Sequence, residues 1–377
     1  MAKSRIVPLV FMLIVVVRGI TFTFVIPPWQ HPDEPTHFEH VRLTSELRAL
    51  PDRTYVSLPL RKEIANSMLR YDFWHGIEQP DLSDVALSSI GNTPIGIYTL
   101  AQPRLYYVVA AAWLTPWLGL PVEGQLYAVR LLAVALNLVV VACAYLSARR
   151  LFPASPFLAV GVAAFTAFHP GLTDIMSAVN NDALVNALAA AWFLVLAWLY
   201  TRRWTWLAGS MGVVLAALIL AAALLTKTTA VALAAGVPLA VAFYLIRNMG
   251  AKALGILLAL GLAAFALAAA AAWLAGDSLV PQLQAIAASL GRYFRVDLDA
   301  TLNTLLAGTG QAKLRIVIDV VFKSFWADFG WRHVHVAQWM YWLALFACLG
   351  AAAGGLVSLA RAARQAARNA APRRDAA

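Results

Sequence analysis

The chain has 377 residues, 61% of them hydrophobic and only 13% charged, with a mean hydropathy of +0.71. A soluble domain carries about 45–50% apolar and 25% charged residues, so an ordinary globular enzyme is excluded, and so is a disordered chain. Several apolar runs reach the roughly 20 residues that cross a bilayer as a helix, which predicts an all-α polytopic membrane protein.

The net charge of +10 is explained by where the basic residues fall. Lys3, Arg5, Arg149, Arg150, Arg202, Arg203, Arg247, Lys252 and the arginines of the basic tail, 360–377, flank apolar runs, with Asp375 the only acid beside them. That is the signature of cytoplasmic loops, and it calls for a lipid bilayer and no nucleic acid as partner. Cys143 and Cys348 lie inside apolar runs, so neither a disulfide framework nor a thiolate metal site is implied.

The first run, residues 6–26, contains Arg18 and leads into Pro27-Pro28-Trp29 without a small-residue cleavage site, as a permanent signal anchor does. Arg18 has a structural reading, an ion pair or snorkelling, beside a functional one. The segment 27–103 follows, and holds ten of the nineteen carboxylates. Its densest polar cluster runs His31-Pro32-Asp33-Glu34-Pro35-Thr36-His37-Phe38-Glu39-His40. Pro35 suits the first position of a helix, which makes Glu34 the expected N-cap and leaves Asp33 free to face a bound group. A solvated capped helix is the plainer reading. The spacing matches no strong zinc signature, so no metal ligand set is assigned, although the carboxylates are able to hold a divalent cation through water.

Residues 104–120 are apolar but short, and Pro116 interrupts them. If this stretch spans, the arginine pairs alternate onto the wrong sides of the membrane. Read instead as a juxtamembrane or re-entrant helix, it leaves about eight spans, 6–26, 127–147, 157–174, 182–200, 207–226, 229–246, 253–275 and 337–359. Both termini then lie in the cytoplasm, and 27–103 and 276–336 form two extracytoplasmic loops. Asp33, Arg104, Arg130, Asp182 and Lys227 all fall at the outer face. For Asp182 a helix N-cap is the structural alternative, and for Lys227 a snorkelling hairpin lysine. Bases there would neutralise a phosphate presented from the membrane, and an unpaired carboxylate would take a proton from a nucleophile. The aromatics of 322–333 suit an interfacial belt or a sugar-stacking platform.

The landmarks, in order, are Pro32-Asp33-Glu34-Pro35-Thr36-His37-Phe38, Gln102-Pro103-Arg104-Leu105-Tyr106-Tyr107, Tyr127-Ala128-Val129-Arg130, His169-Pro170, Val179-Asn180-Asn181-Asp182, Leu225-Thr226-Lys227 and Phe325-Trp326-Ala327-Asp328-Phe329-Gly330-Trp331. Together they resemble the GT-C fold glycosyltransferases, in particular an uncharacterised bacterial branch of that superfamily, over most of the chain. The resemblance implies a plasma (inner) membrane enzyme that moves a sugar from a polyprenyl-phosphate donor to a glycan, lipid or protein acceptor at the outer face. It gives Asp33 the role of base, with Glu34 and His37 supporting its loop. Lys227, Arg130 and Arg104 become phosphate contacts, and Tyr106, Asn181 and Asp182 join the substrate site. The rival expectations are a transporter of lipid-linked or anionic solutes and a non-catalytic partner in cell-envelope polysaccharide assembly.

Overall fold

The structure, a computed structural model, describes residues 3–75, 78–90, 95–96, 99–100, 102–201, 206–234, 236, 321–329 and 334–370. The expected span 253–275, most of 229–246, most of the loop 276–336 and the end of the basic tail lie outside these residues.

The described residues are all-α apart from a two-residue antiparallel pairing, β1 (Asp328–Phe329) with β2 (Val334–His335). Among the described residues four helices are long and apolar enough to cross a membrane: Val122–Leu151, Asp182–Thr201, Gly209–Thr226 and Gln338–Ser358. They make the chain a membrane-type protein. Of the eight spans expected, 6–26 and 157–174 form shorter apolar helices, over Leu9–Val25 and Pro156–Phe168.

One compact unit holds residues 1–234 and 324–335. Its helices are α1 (Lys3–Val25), α2 (Glu34–Leu47), α3 (Leu58–Arg70), α4 (Asp84–Leu87), α5 (Leu105–Leu114), α6 (Val122–Leu151), α7 (Pro156–Phe168), α8 (Pro170–Ile175), α9 (Asp182–Thr201), α10 (Trp206–Thr226) and the short α11 (Val231–Ala234). Prolines stand in the first turns of α2, α3, α7 and α8, where the missing N–H has no intrahelical partner to lose. The other unit holds 235–323 and 336–377, and its described helix is α12 (Gln338–Ala370).

Within the first unit α6 is the central pillar, packing against α1, α7 and α9, with α10 against α9. Gly19 permits the α1–α6 approach: a Cβ there would stand 2.6 Å from a Val134 methyl. The segment 27–103 folds as a cap with a continuous core. Trp29, Phe38, Val41, Ile64 and Met68 pack into the same cluster as Tyr107 of α5 and Leu126 and Val129 of α6. A buried ion pair ties the cap's helices together. Arg61 donates to Glu39 at 2.5 Å and to the carbonyls of Leu87 and Ser89 at 2.7 and 2.6 Å.

The stretch 104–120 is a ten-residue helix, α5, followed by a 3-10 turn at Thr115–Trp117 that contains Pro116. Ten residues rise about 15 Å, half of a bilayer core, so α5 is too short to cross. The expected span 157–174 is interrupted at His169-Pro170. Pro170 disfavours the helical conformation for the residue before it, and His169 lies at φ −63, ψ 117. There the His169 ring accepts the Leu172 N–H at 3.0 Å and caps α8. A second interruption follows α10, where Lys227 is extended at φ −153, ψ 133.

Candidate functional site

The turn between α1 and α2 is built around two side chains. Trp29 is left-handed at φ 73, and its buried indole donates to Ser67 Oγ at 2.9 Å and meets the Phe38 ring edge-on. Glu34 is fully buried and faces Arg130, also fully buried, with Arg130 Nε 2.8 Å and Nη2 2.6 Å from the carboxylate oxygens. Glu34 also accepts the backbone N–H of Trp29 and of Val179, each at 3.1 Å. Burial works against its charge, but Arg130 and the Val179 N–H hold its carboxyl below the usual range. Arg130 in turn donates to the Thr23, Ile26 and Pro27 carbonyls at 2.8, 2.7 and 3.0 Å, satisfying acceptors that the end of α1 leaves open.

This lattice corrects the roles expected of the two residues. Glu34 is the first residue of α2, not its cap, and it is enclosed against Arg130. Arg130 has its donors engaged by protein oxygens, so it has none to offer a phosphate. The cap position belongs to Asp33, left-handed at φ 57, whose side chain makes no capping hydrogen bond. A non-glycine residue in that region costs conformational energy, and here it keeps the carboxylate off the helix end.

Asp33 opens instead into a cavity of about 180 Å³. His31, Pro32, Asp33 and His37 line it from the turn and the start of α2, and Gln102 from the approach to α5. Asp174, Ile175 and Ala178 come from α8 and the chain after it, Asn180, Asn181 and Asp182 from the start of α9, and Lys227 from the break after α10. Lys227 Nζ donates to Asp182 Oδ1 at 2.6 Å, with both side chains about one-third exposed. Asn181 donates to Gln102 Oε1 at 2.7 Å and, more weakly at 3.4 Å, to the Thr226 carbonyl, linking the break to the cap. Asn180, not Asp182, supports the start of α9, its side-chain oxygen accepting the Asp182 N–H at 2.8 Å. The Asp182 carboxylate is thereby left to the lysine.

Burial pushes the Asp33 carboxyl above its ordinary range, Lys227 pulls it back and Asp182 adds to the rise. A carboxylate held reluctantly charged beside an ammonium is a proton acceptor. His37 pairs through Nδ1 with Tyr107 Oη at 2.9 Å, and burial lowers its pKa to about 4, so it is neutral near pH 7. His40 stacks on the same tyrosine ring at 3.5 Å between centroids, and burial takes it to about 3.

Asp33, His37, Asn181, Asp182 and Lys227 of the sequence-derived set therefore share one cavity. Arg104, half-buried at the start of α5, and Tyr106, fully buried, do not line it. Among the described residues no three His, Cys, Asp or Glu side chains could hold one metal ion. Arg18 donates to Thr173 Oγ1 at 3.2 Å and stands over the Phe22 and Phe168 rings at 5.9 and 5.5 Å. Phe325 and Trp326 flank His169, with centroids at 4.7 and 5.2 Å.

His31, Gln102 and Asn180 stood within the sequence motifs but were given no role, and Asp174 was passed over. Asp174 carried a usable signal, being a carboxylate at the end of an apolar run, where an acid requires a partner or a use. Known family models, curated proteins and solved structures offered no match to the chain.

Proposed function

We propose that this cavity is the reaction site of a GT-C type glycosyltransferase, at the outer face of the plasma membrane, in a bundle of about eight spans with cytoplasmic termini. The donor is a polyprenyl-phosphate-linked sugar and the acceptor a hydroxyl or amine of a glycan, lipid or protein. One observation carries the reading: Asp33, Asp182 and Lys227, from three distant segments, line one cavity, with the carboxylate of Asp33 used by no helix cap.

In this reading the donor phosphate enters beside Lys227, whose ammonium neutralises it, while Asp182 holds that ammonium in place. Asp33 takes the proton of the acceptor as its oxygen or nitrogen attacks the anomeric carbon. The bond from that carbon to the phosphate oxygen breaks with its electron pair going to the phosphate, and the configuration inverts. Glu34 and Arg130 are positioning residues that hold the Asp33 turn and the Val179 strand of chain against each other. Neutral His37 offers hydrogen bonding without adding charge.

The test is sugar release from undecaprenyl phosphate conjugates by the purified protein in nanodiscs, with a cell-envelope fraction as acceptor. Wild type is expected to release one sugar, and Asp33→Asn to do so about 10²–10⁴-fold more slowly with its fold intact, the usual contribution of a general base. Equal rates in the two proteins would overturn the assignment. Retention of the lipid without any bond cleavage would favour the transporter or assembly-partner readings instead.

A further inference from the structure

His31 and Asp174 form a second polar pair in the same cavity, apart from the residues used above. His31 comes from the turn after α1 and Asp174 from α8, and His31 Nδ1 stands 3.1 Å from Asp174 Oδ1. Their side chains are 0% and 6% exposed. Yet neither His31 nitrogen, nor Asp174 Oδ1, makes an aligned hydrogen bond with any described residue. Buried polar atoms almost always have partners; here the His31–Asp174 contact is all that Nδ1 and Oδ1 have, His31 Nε2 has none, and both residues line the cavity, which calls for a ligand that completes them.

The chemistry of the pair narrows that ligand. A carboxylate only accepts hydrogen bonds, whereas a neutral imidazole donates one and accepts one. Sugar hydroxyls, each both donor and acceptor, complement such a pair. A phosphate does not, because Asp174 would repel it, and the lysine of the cavity is the place for an anion. Size agrees: a cavity of about 150 Å³ takes a six-membered benzene ring, and this one, at about 180 Å³, has room for a sugar ring. His31 also lies two residues before Asp33, which sets the pair beside the base. Both partners are held from behind. The His31 carbonyl accepts the Glu34 N–H at 3.3 Å, and α8 is capped by His169.

We infer that His31 and Asp174 are the subsite that binds hydroxyls of the donor sugar, an inference that rests on the donor reading above. The pair then selects sugar-bearing lipid over the bare phosphate, while Lys227 binds the phosphate of both.

Native mass spectrometry of the nanodisc protein tests this, with undecaprenyl phosphate and its glucose, galactose and arabinose conjugates as probes. Wild type is expected to retain one conjugate over undecaprenyl phosphate by at least about tenfold, the worth of one or two hydrogen bonds. Asp174→Asn and His31→Gln should lose that preference and still retain undecaprenyl phosphate, which also serves as the measure of their folding. Lys227→Ala should lose both. If either pair variant keeps the wild-type preference, or if wild type has none while retaining the bare lipid, the subsite is overturned and the donor reading stands. If wild type retains no probe at all, the donor reading falls and the subsite with it.

Discussion

Glu34 and Arg130 lie 96 residues apart and meet with both side chains fully buried, 2.6 Å between Nη2 and Oε2. Through them the end of α1, the start of α2, the pillar α6 and the chain at Val179 converge on one guanidinium–carboxylate pair. Neither side chain lines the cavity, but the pair holds the turn that carries His31 and Asp33 and, through Val179, the chain that carries Ala178 and Asn180.

Removing one partner leaves an uncompensated buried charge. Glu34→Gln and Arg130→Met are each expected to cost about 3–5 kcal/mol, seen as a large drop in apparent melting temperature in detergent. A Glu34→Gln, Arg130→Met double variant should be less destabilised than the sum of the two. Strict additivity would mean that the two side chains are not coupled.

Asp33→Asn should leave the protein as stable as wild type, or more so, at neutral pH. The folded pKa of Asp33 is raised by burial, so the native state binds the proton more tightly than the unfolded chain. Stability from this group therefore falls as pH rises through that window, and the uncharged amide escapes the loss. Catalysis runs the other way: as a base Asp33 must be ionised, so release of sugar should rise with pH through the same window. Thermal unfolding and rate, each followed from pH 4 to 8, separate the two effects.

Asp182 and Lys227 tune that base in opposite directions, the lysine lowering its pKa and the aspartate raising it. Asp182→Asn should accordingly move the acid limb of the rate profile to lower pH, with a weaker hold on the Lys227 side chain. An acid limb that moves to higher pH, or not at all, would remove Asp182 from the environment of Asp33.

His37 and His40 have pKa values lowered by burial to about 4 and 3. For a histidine lowered on folding, the unfolded chain takes up the proton first. Stability should be complete above about pH 6.5 and decline as pH falls below it. The apparent melting temperature is expected to drop between pH 7 and pH 5, and less steeply in a His40→Gln variant. An identical slope in that variant would mean that His40 does not carry the effect.

Gly171 gives a test of how α8 is seated. A Cβ there would lie 2.6 Å from the Phe325 carbonyl oxygen, and backbone cannot swing aside as a side chain can. Gly171→Ala should destabilise by about 1–3 kcal/mol, as overpacking does. Because Asp174 rides on the same short helix, sugar preference should weaken as well.

Much of the cavity was legible from single residues, because charges in an apolar chain are conspicuous. Asp33, Asp182 and Lys227 stood out for that reason, and they do line one cavity. Asp33 was expected to face a bound group and Glu34 to be held structurally, but the sequence did not show that Asp33 takes the cap position or that Glu34 is enclosed against Arg130. Arg130 looked available because a sequence does not reveal the carbonyls at the end of α1 that occupy it. The interruption at His169-Pro170 was written in the proline, yet the apolar run on either side read as one span. Asp174 was overlooked because that span absorbed it.

The cap's core is shared with α6, and this bears on biosynthesis. Trp29, Phe38, Ile64 and Met68 leave the ribosome well before Leu126 and Val129, against which they close. At about 5–20 residues per second, the cap waits several seconds with its apolar face uncovered. A nascent chain arrested before α6 should therefore carry a protease-sensitive cap, which becomes resistant once residues 122–132 have emerged and inserted.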